Sequence, residues 1–303
     1  MDGENAIIVR NLVKHYEGFT LNNVSFEIPK GSVVGFVGEN GAGKSTTIKA
    51  ILGLIPVDSG EVELLGYRMK QDEYKEAWKE EIGVVFDECN FPLSLKVKNI
   101  GTIMKNIYHT WDQRKFKNYL TRFSLPPEKK IKELSKGMKM KVSIAVALSH
   151  DSKLLILDEA TGGLDPVVRN EILDIFREFI EDAEHTVFLS SHITSDIEKI
   201  ADYVILIHNG KLVFKENKDE LLYHYGIVRC TQEQAQLIPE SIILGKEEGR
   251  FETSVLIKDK ELLTERNFVE SAKEKDGVMP VVDKAGIEDI LLYIVKGKGE
   301  KQL

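Results

Sequence analysis

A chain of 303 residues, 42% hydrophobic and 30% charged, is long enough for one large domain and a small one. Its net charge of −8 argues against a non-specific nucleic-acid binder, so no nucleic acid is expected as a partner. Its two cysteines, Cys89 and Cys230, form neither a disulfide framework nor a metal-ligand spacing, no N-terminal stretch reads as a signal peptide, and no run approaches the roughly 18 apolar residues that cross a bilayer.

In chain order, AIIVRNL, LNNVSFEI and SVVGFVG read as short strands of a small antiparallel sheet, joined by SGEVELLGY (59–67). The stretch VGFVGENGAGKSTTIKAIL (34–52) then places a buried strand, a glycine-rich loop and a helix in succession. Gly38, Gly41, Gly43, Lys44 and Ser45 match G-x-x-x-x-G-K-[ST]. Glycines let such a loop turn successive N–H groups onto an anion, and the helix start adds its positive end. Lys44 can reach β- and γ-phosphate oxygens, and Ser45 offers a hydroxyl to Mg²⁺. The strand and helix on either side favour a nucleoside triphosphate site over a glycine-rich turn with a solvated lysine.

EEIGVVFDE (80–88) reads as a strand ending in acids, and residues 94–150 turn mostly helical, punctuated by Pro126 and Pro127. Within that stretch, LSKGMKMKVSIAVAL (134–148) has Ser135 placed to cap a helix, with Lys136, Lys139 and Lys141 adding positive potential. LLILDEAT (154–161) is an apolar strand that delivers Asp158 to a sheet edge where a triphosphate's Mg²⁺ would lie, with Glu159 placed to polarise water. VFLSSH (187–192) brings His192 to the same edge, where an imidazole can donate to phosphate oxygen. Tyr16 in KHYEG is a candidate for stacking on a purine ring. Helices over 167–183 and 193–201 and an Asn209-Gly210 hairpin complete a pattern of alternating strands and helices, hence a parallel sheet with right-handed crossovers.

After about Tyr225 the character changes: GIVRCTQ, SIILGKEE and RFETSVLIK read as strands, TERNFVESAKEK and AGIEDILLYIVKG as helices. The expected boundaries are 1–224 for the large domain, with helices over about 90–150, and 225–303 for a small α+β domain. The last residues, KGKGEKQL, are expected to fray.

With these motifs in this order, residues 7–216 resemble the ATP-binding subunit of an ABC transporter. The resemblance implies an α/β fold: a RecA-like P-loop NTPase core with an antiparallel β subdomain and a helical subdomain, plus the small C-terminal domain. It implies that Gly38, Glu39, Asn40, Gly41, Ala42, Gly43, Lys44, Ser45 and Thr46 form the Walker A loop. Asp158 would join Ser45 on Mg²⁺, and Glu159 would be the catalytic base. LSKGM would be the signature motif, with Ser135 and Gly137 contacting ATP. Asp165 would end the D-loop, His192 would be the switch histidine, and Tyr16 the adenine-stacking residue. The family's usual signature is LSGGQ; here Lys136 replaces the first glycine and Met138 the glutamine. The family's usual Q-loop glutamine is Asp87, which brings negative charge toward the nucleotide. VFDE together with LSKGM resembles a subset of ABC-2-type bacterial exporters.

The implied cofactors are ATP and Mg²⁺, and the implied activity is ATP hydrolysis driving transport. The implied partners are a second copy or a homologous ATPase subunit, facing head to tail, and a separate transmembrane permease chain. The implied location is peripheral, on the cytoplasmic face of the membrane. A soluble ABC ATPase acting on ribosomes or DNA is the alternative, disfavoured by the single nucleotide unit and the acidic charge.

Overall fold

The computed structural model describes residues 5–69, 77–250, 252–265 and 268–299. Two compact units divide it, Met1–Lys215 and Glu216–Leu303. The expected boundary near residue 225 lies after helix Lys218–His224, which this division assigns to the second unit.

The first unit is organised by a six-stranded sheet in the order Lys211–Asn217, Tyr203–His208, Val33–Val37, Thr186–Ser191, Leu154–Asp158, Ile82–Val85. The last five run parallel. Every residue of VVGFV (33–37) and LLILD (154–158) is buried. A parallel sheet is covered on both faces, so its strands run apolar without alternation. Parallel strands also end on one edge, so Gly38, Asp158, Glu159 and His192 all leave the sheet at the same side.

A four-stranded antiparallel sheet lies beside it in sequence, in the order Phe19–Pro29, Asn5–Tyr16, Ser59–Leu64, Tyr67–Arg68. The sequence suggests that its first strand stops near Asn11. Instead the strand runs through to Tyr16, bent where Asn11 takes φ 50° and the register shifts between Val9 and Leu12. An asparagine tolerates that left-handed backbone and reads from sequence as a turn, but here it marks a bulge. Phe26 of this sheet packs on Phe36 and Phe188 of the central one, with ring centroids 6.0 and 5.8 Å away, joining the two into one core.

The helical stretch contains Val97–Met104, Gln113–Arg122 and Lys136–Ala147. The first helix is shorter than KNIGTIMKNIYHTW suggests, because the Glu80 carboxylate captures the chain beyond it. Glu80 accepts from the His109 and Thr110 amides and from the Thr110 hydroxyl, at 2.8, 3.2 and 2.8 Å.

His150 closes this region. It is 3% exposed and stacks on Tyr108 with centroids 4.0 Å apart, and its Nδ1 lies 2.8 Å from the Glu80 carbonyl oxygen. The neutral tautomer donates there, while Nε2 is buried without a partner. Burial holds the imidazole below its usual range, against the opposing pull of the Glu80 carbonyl. The unfolded chain therefore binds this proton at a higher pH than the folded one. The associated stability is complete above the unfolded value of about 6.5 and is lost as pH falls below it. We expect the unfolding free energy of the native chain to drop between pH 7 and 5.5 by up to about 1.4 kcal/mol per unit more than that of His150→Gln. Unfolding free energies from urea titrations that fall in parallel with pH for the two proteins would contradict this.

The second unit holds a four-stranded antiparallel sheet in the order Ile243–Glu248, Thr253–Ile257, Gly226–Cys230, Val281–Lys284. Its last strand is missing from the sequence reading: only VVDK, four mostly exposed residues, it carries too little alternation to register. Helix Ile287–Gly299 buries Ile287, Ile290, Tyr293 and Ile294, at the spacing of one helical face. Residues 300–303, part of the segment expected to fray, lie outside the described residues.

Candidate functional site

Strand Val33–Val37 ends in a loop that returns into helix Lys44–Ile51. Gly43 precedes that helix at φ 111°, and a Cβ there would lie 2.9 Å from Phe19 Cζ, so any side chain would meet both backbone strain and a clash. The Lys44 side chain is 5% exposed and folds back under the loop. Its ammonium donates to the carbonyl oxygens of Gly38 and Glu39 at 2.8 and 3.3 Å and pairs with Glu159 Oε1 at 3.2 Å. Glu39 in turn pairs with His208, at the end of strand Tyr203–His208.

Asp158 is buried, and its Oδ1 accepts from Ser45 at 3.1 Å and from Ser190 at 2.7 Å. A carboxylate flanked by hydroxyls is an oxygen donor set suited to a hard cation. Among the described residues no group of three or more His, Cys, Asp or Glu side chains could hold a metal. Mg²⁺ is commonly held by one or two protein oxygens together with substrate phosphates. Ser45 and Asp158 would hold it.

Glu159 follows in the left-handed region at φ 53°, unfavourable for a non-glycine residue by about 1–2 kcal/mol. Its amide donates to Ser190 at both the carbonyl oxygen and the hydroxyl, 3.2 and 3.1 Å away, which fixes the turn. The carboxylate reaches Lys44 through Oε1 and His192 through Oε2, with His192 Nδ1 at 2.5 Å. One carboxylate thus bridges the loop lysine and the strand-end histidine.

Lys44, Ser45, Glu159 and His192 face a cleft of about 700 Å³, lined also by Gly18, Phe19, Asn40, Gly41, Gly43, Thr46, Asp87, Lys136, Gly162 and Gly163, while Asp158 and Glu39 are not among its lining residues. Lys44, Ser45, Thr46, Glu159, His192, Asn40, Gly41, Gly43 and Asp87 are therefore gathered as the motifs suggest. Gly38 contributes its carbonyl beneath, and Ala42 is buried in the loop. Tyr16, 47% exposed, is not among the lining residues; the aromatic that borders the cleft is Phe19.

Ser135, Gly137 and Asp165 do not line this cleft either. Ser135 caps its helix, accepting from the Met138 amide at 3.2 Å, and Asp165 caps helix Pro166–Phe179, accepting from Val167 and Val168 at 3.1 Å. Sequence reasoning missed Ser190, which holds both acids in place; the serines of VFLSSH before the histidine were its available signal.

A family model described as ABC transporter matches residues 21–162. The chain is 30% identical over 292 residues to the uncharacterized ABC transporter ATP-binding protein YhcH of Bacillus subtilis (strain 168), covering 95% of this chain and 90% of that one. It is 33% identical over 214 residues to the lantibiotic transport ATP-binding protein SrtF of Streptococcus pyogenes, covering 70% of this chain and 90% of that one. A solved ATP-binding subunit of an ABC transporter superposes with a TM-score of 0.65 at 27% identity, covering 72% of this chain and 92% of that one.

Proposed function

The chain belongs to the ATP-binding subunits of ABC transporters, and from that premise we propose that it hydrolyses ATP to ADP and phosphate within the cleft around Lys44. It is a subunit of an ATP-driven transporter whose membrane-crossing path is supplied by a separate chain. Among the described residues no helix is long and apolar enough to cross a membrane. A ribosome- or DNA-directed role is not favoured.

The observation that carries the catalytic reading is the contact of a single carboxylate, Glu159, with both Lys44 and His192 at the mouth of the glycine loop. An incoming phosphate competes with Glu159 for the Lys44 ammonium. Once Lys44 turns to phosphate, Glu159 is left hydrogen-bonded to His192 and can take a proton from water. His192 can then donate to a terminal phosphate oxygen. Mg²⁺, held by Ser45 and Asp158, would screen phosphate charge when bound. Asp87 lines the same cleft as a negative group, so ATP binding is expected to depend on Mg²⁺ more steeply than with a neutral side chain there.

Ser135, Gly137 and Asp165 sit outside their own cleft, which supports a head-to-tail pairing in which they meet the nucleotide of a second copy or a homologous subunit. ATP would then hold two subunits closed, and its hydrolysis would release them, moving the spanning chains with them. A peripheral position on the cytoplasmic face of the membrane follows from this reading. One relative is named for lantibiotic transport, which makes peptide antibiotics a first cargo to test.

The test of the cleft is Lys44→Ala. Charge-assisted bonds to phosphate are worth roughly 1.5–3 kcal/mol, so ATP affinity measured by calorimetry is expected to fall at least about tenfold. An unchanged affinity would show that the nucleotide lies elsewhere.

A further inference from the structure

The chain's charge is divided unevenly. Residues 91–150 carry 13 lysines and arginines against 3 acids, while the other 243 residues carry 28 against 46. A strongly basic stretch therefore sits in an otherwise acidic protein.

Part of that stretch is built as one surface. The Val97 amide donates to the Lys129 carbonyl, Lys98 to Pro127, Ile131 to Leu95 and Lys132 to Leu93, each at 2.9–3.0 Å, which lays residues 93–98 and 127–132 side by side. Lys96 and Lys130, both extended, pair directly across this ribbon as an antiparallel bridge. Val97 and Ile131 are fully buried, and each is flanked by two lysines left at the surface, Lys96 and Lys98, Lys130 and Lys132. Lys129 adds a fifth ammonium, and Lys105, seven residues beyond Lys98, a sixth on the same side of helix Val97–Met104.

The local acids do not balance these charges. Glu128 is shared between Lys96 and Lys98, at 3.1 and 2.7 Å, and Glu133 accepts from the Lys130 amide at 2.8 Å. Lys105, Lys129, Lys130 and Lys132 have no ion pair among the described residues. Like charges held opposite one another are destabilising, and an anionic partner removes that cost. None of the six lines the nucleotide cleft, so the bound triphosphate does not supply that partner.

The chemistry of the cations narrows what does. All six are lysine. Arginine's planar fork suits a fixed carboxylate or phosphate taken bidentately, whereas a point charge on a flexible stem suits anions whose positions are not fixed. Leu93, 58% exposed and bonded through its carbonyl to Lys132, sets an apolar side chain beside the ammonium groups. Lysine mixed with exposed leucine is the composition of a surface that lies among lipid headgroups. The acidic remainder of the chain is repelled by a negative leaflet, so a basic strip also orients the protein upon it.

We propose that this lysine ribbon rests on the anionic headgroups of the membrane surface and holds the helical stretch against it. The inference rests on the reading that the chain works peripherally on the membrane, and it names the surface that makes the contact.

The test is flotation of the full native chain with vesicles of phosphatidylcholine mixed with phosphatidylglycerol, and with vesicles of phosphatidylcholine alone. The native chain is expected to bind the mixed vesicles only, and to be released by raised salt. Lys129→Gln/Lys130→Gln/Lys132→Gln is expected to weaken that binding on the order of a hundredfold, and the matching triple arginine variant to retain it. Lys258→Gln/Lys273→Gln/Lys284→Gln makes the same change in net charge at exposed lysines of the second unit and is expected to bind within about threefold of native, since charges away from the contact are screened. ATP turnover is expected to match native in all of these variants, because the ribbon lies outside the cleft. Equal flotation with both kinds of vesicle, equal losses in the two glutamine variants, or no binding by the native chain would overturn the inference. So would a ribbon variant that still floats but no longer co-purifies in detergent with a membrane-spanning chain, since the ribbon would then be a protein-docking surface. A native chain that hydrolyses ATP without binding vesicles defeats this inference alone; one that binds mixed vesicles through the ribbon without hydrolysing ATP supports it and defeats only the reading of the cleft.

Discussion

Replacing Glu159 with glutamine is expected to lower ATP turnover by about 10²–10⁴-fold while ATP still binds. The substitution keeps the side-chain length and the hydrogen-bonding oxygen but removes the charge that accepts a proton. It leaves the backbone as it was, because glutamine adopts the left-handed turn at residue 159 no less readily than glutamate, and the amide remains bound to Ser190. Two further consequences follow from the geometry. Lys44 loses its ion pair at 3.2 Å, so phosphate no longer competes with a carboxylate, and ATP affinity is expected to rise. The slowed enzyme is then expected to accumulate as an ATP-bound dimer, visible by sedimentation. Phosphate release at the native rate would remove Glu159 from the role of base, and loss of ATP binding would show that its contact with Lys44 is structural.

The largest stability effect is expected at Arg169, in a pair whose two members respond differently to removal. Asp196 is fully buried, and among the described residues neither of its carboxylate oxygens accepts a hydrogen bond. Among the described residues its charge partner is Arg169, with Nε at 3.9 Å, while Arg169 Nη2 donates to the Leu164 carbonyl at 3.1 Å. The pair ties helix Thr194–Ile200, just after His192, to the loop that carries Gly162 and Gly163. Removing one member of a buried pair leaves the other charge uncompensated, at a cost of about 3–5 kcal/mol. Arg169→Met strands Asp196, so that range applies to it. Asp196→Asn leaves an arginine that is partly exposed and can turn to water, so its cost is expected to be under about 1 kcal/mol. The double variant is expected to recover most of what Arg169→Met loses. Urea titrations of the four proteins give the coupling directly, and equal losses in the two single variants would refute the account.

The elements nearest the site were those most legible in the sequence. VVGFV, LLILD and VFLSS are short and apolar because a parallel sheet covers both faces of each strand, and each hands its last residue to the same edge. The reading was weaker where a local signal had a different tertiary use. Asn11 reads as a turn but marks a bulge in a long strand, and IYHTW reads as helix but is unwound by hydrogen bonds to a carboxylate at residue 80, remote in sequence. VVDK carries no pattern of its own and becomes a strand because Gly226–Cys230 offers it an edge.

What the sequence determined by itself was the inventory and its order: a glycine loop with Lys44, a strand delivering Asp158 and Glu159, another delivering His192, and hence the family. Those features depend on residue type and short spacing, which are local. Only the tertiary structure decided which charges meet. It put Glu159 between Lys44 and His192, set Ser190 beneath both acids, turned Lys136 into the cleft while Ser135 stayed out, and left Tyr16 off its wall. Such contacts join strand ends and helix starts tens of residues or more apart, and their distances follow from how the sheet's edge and its crossing helices pack.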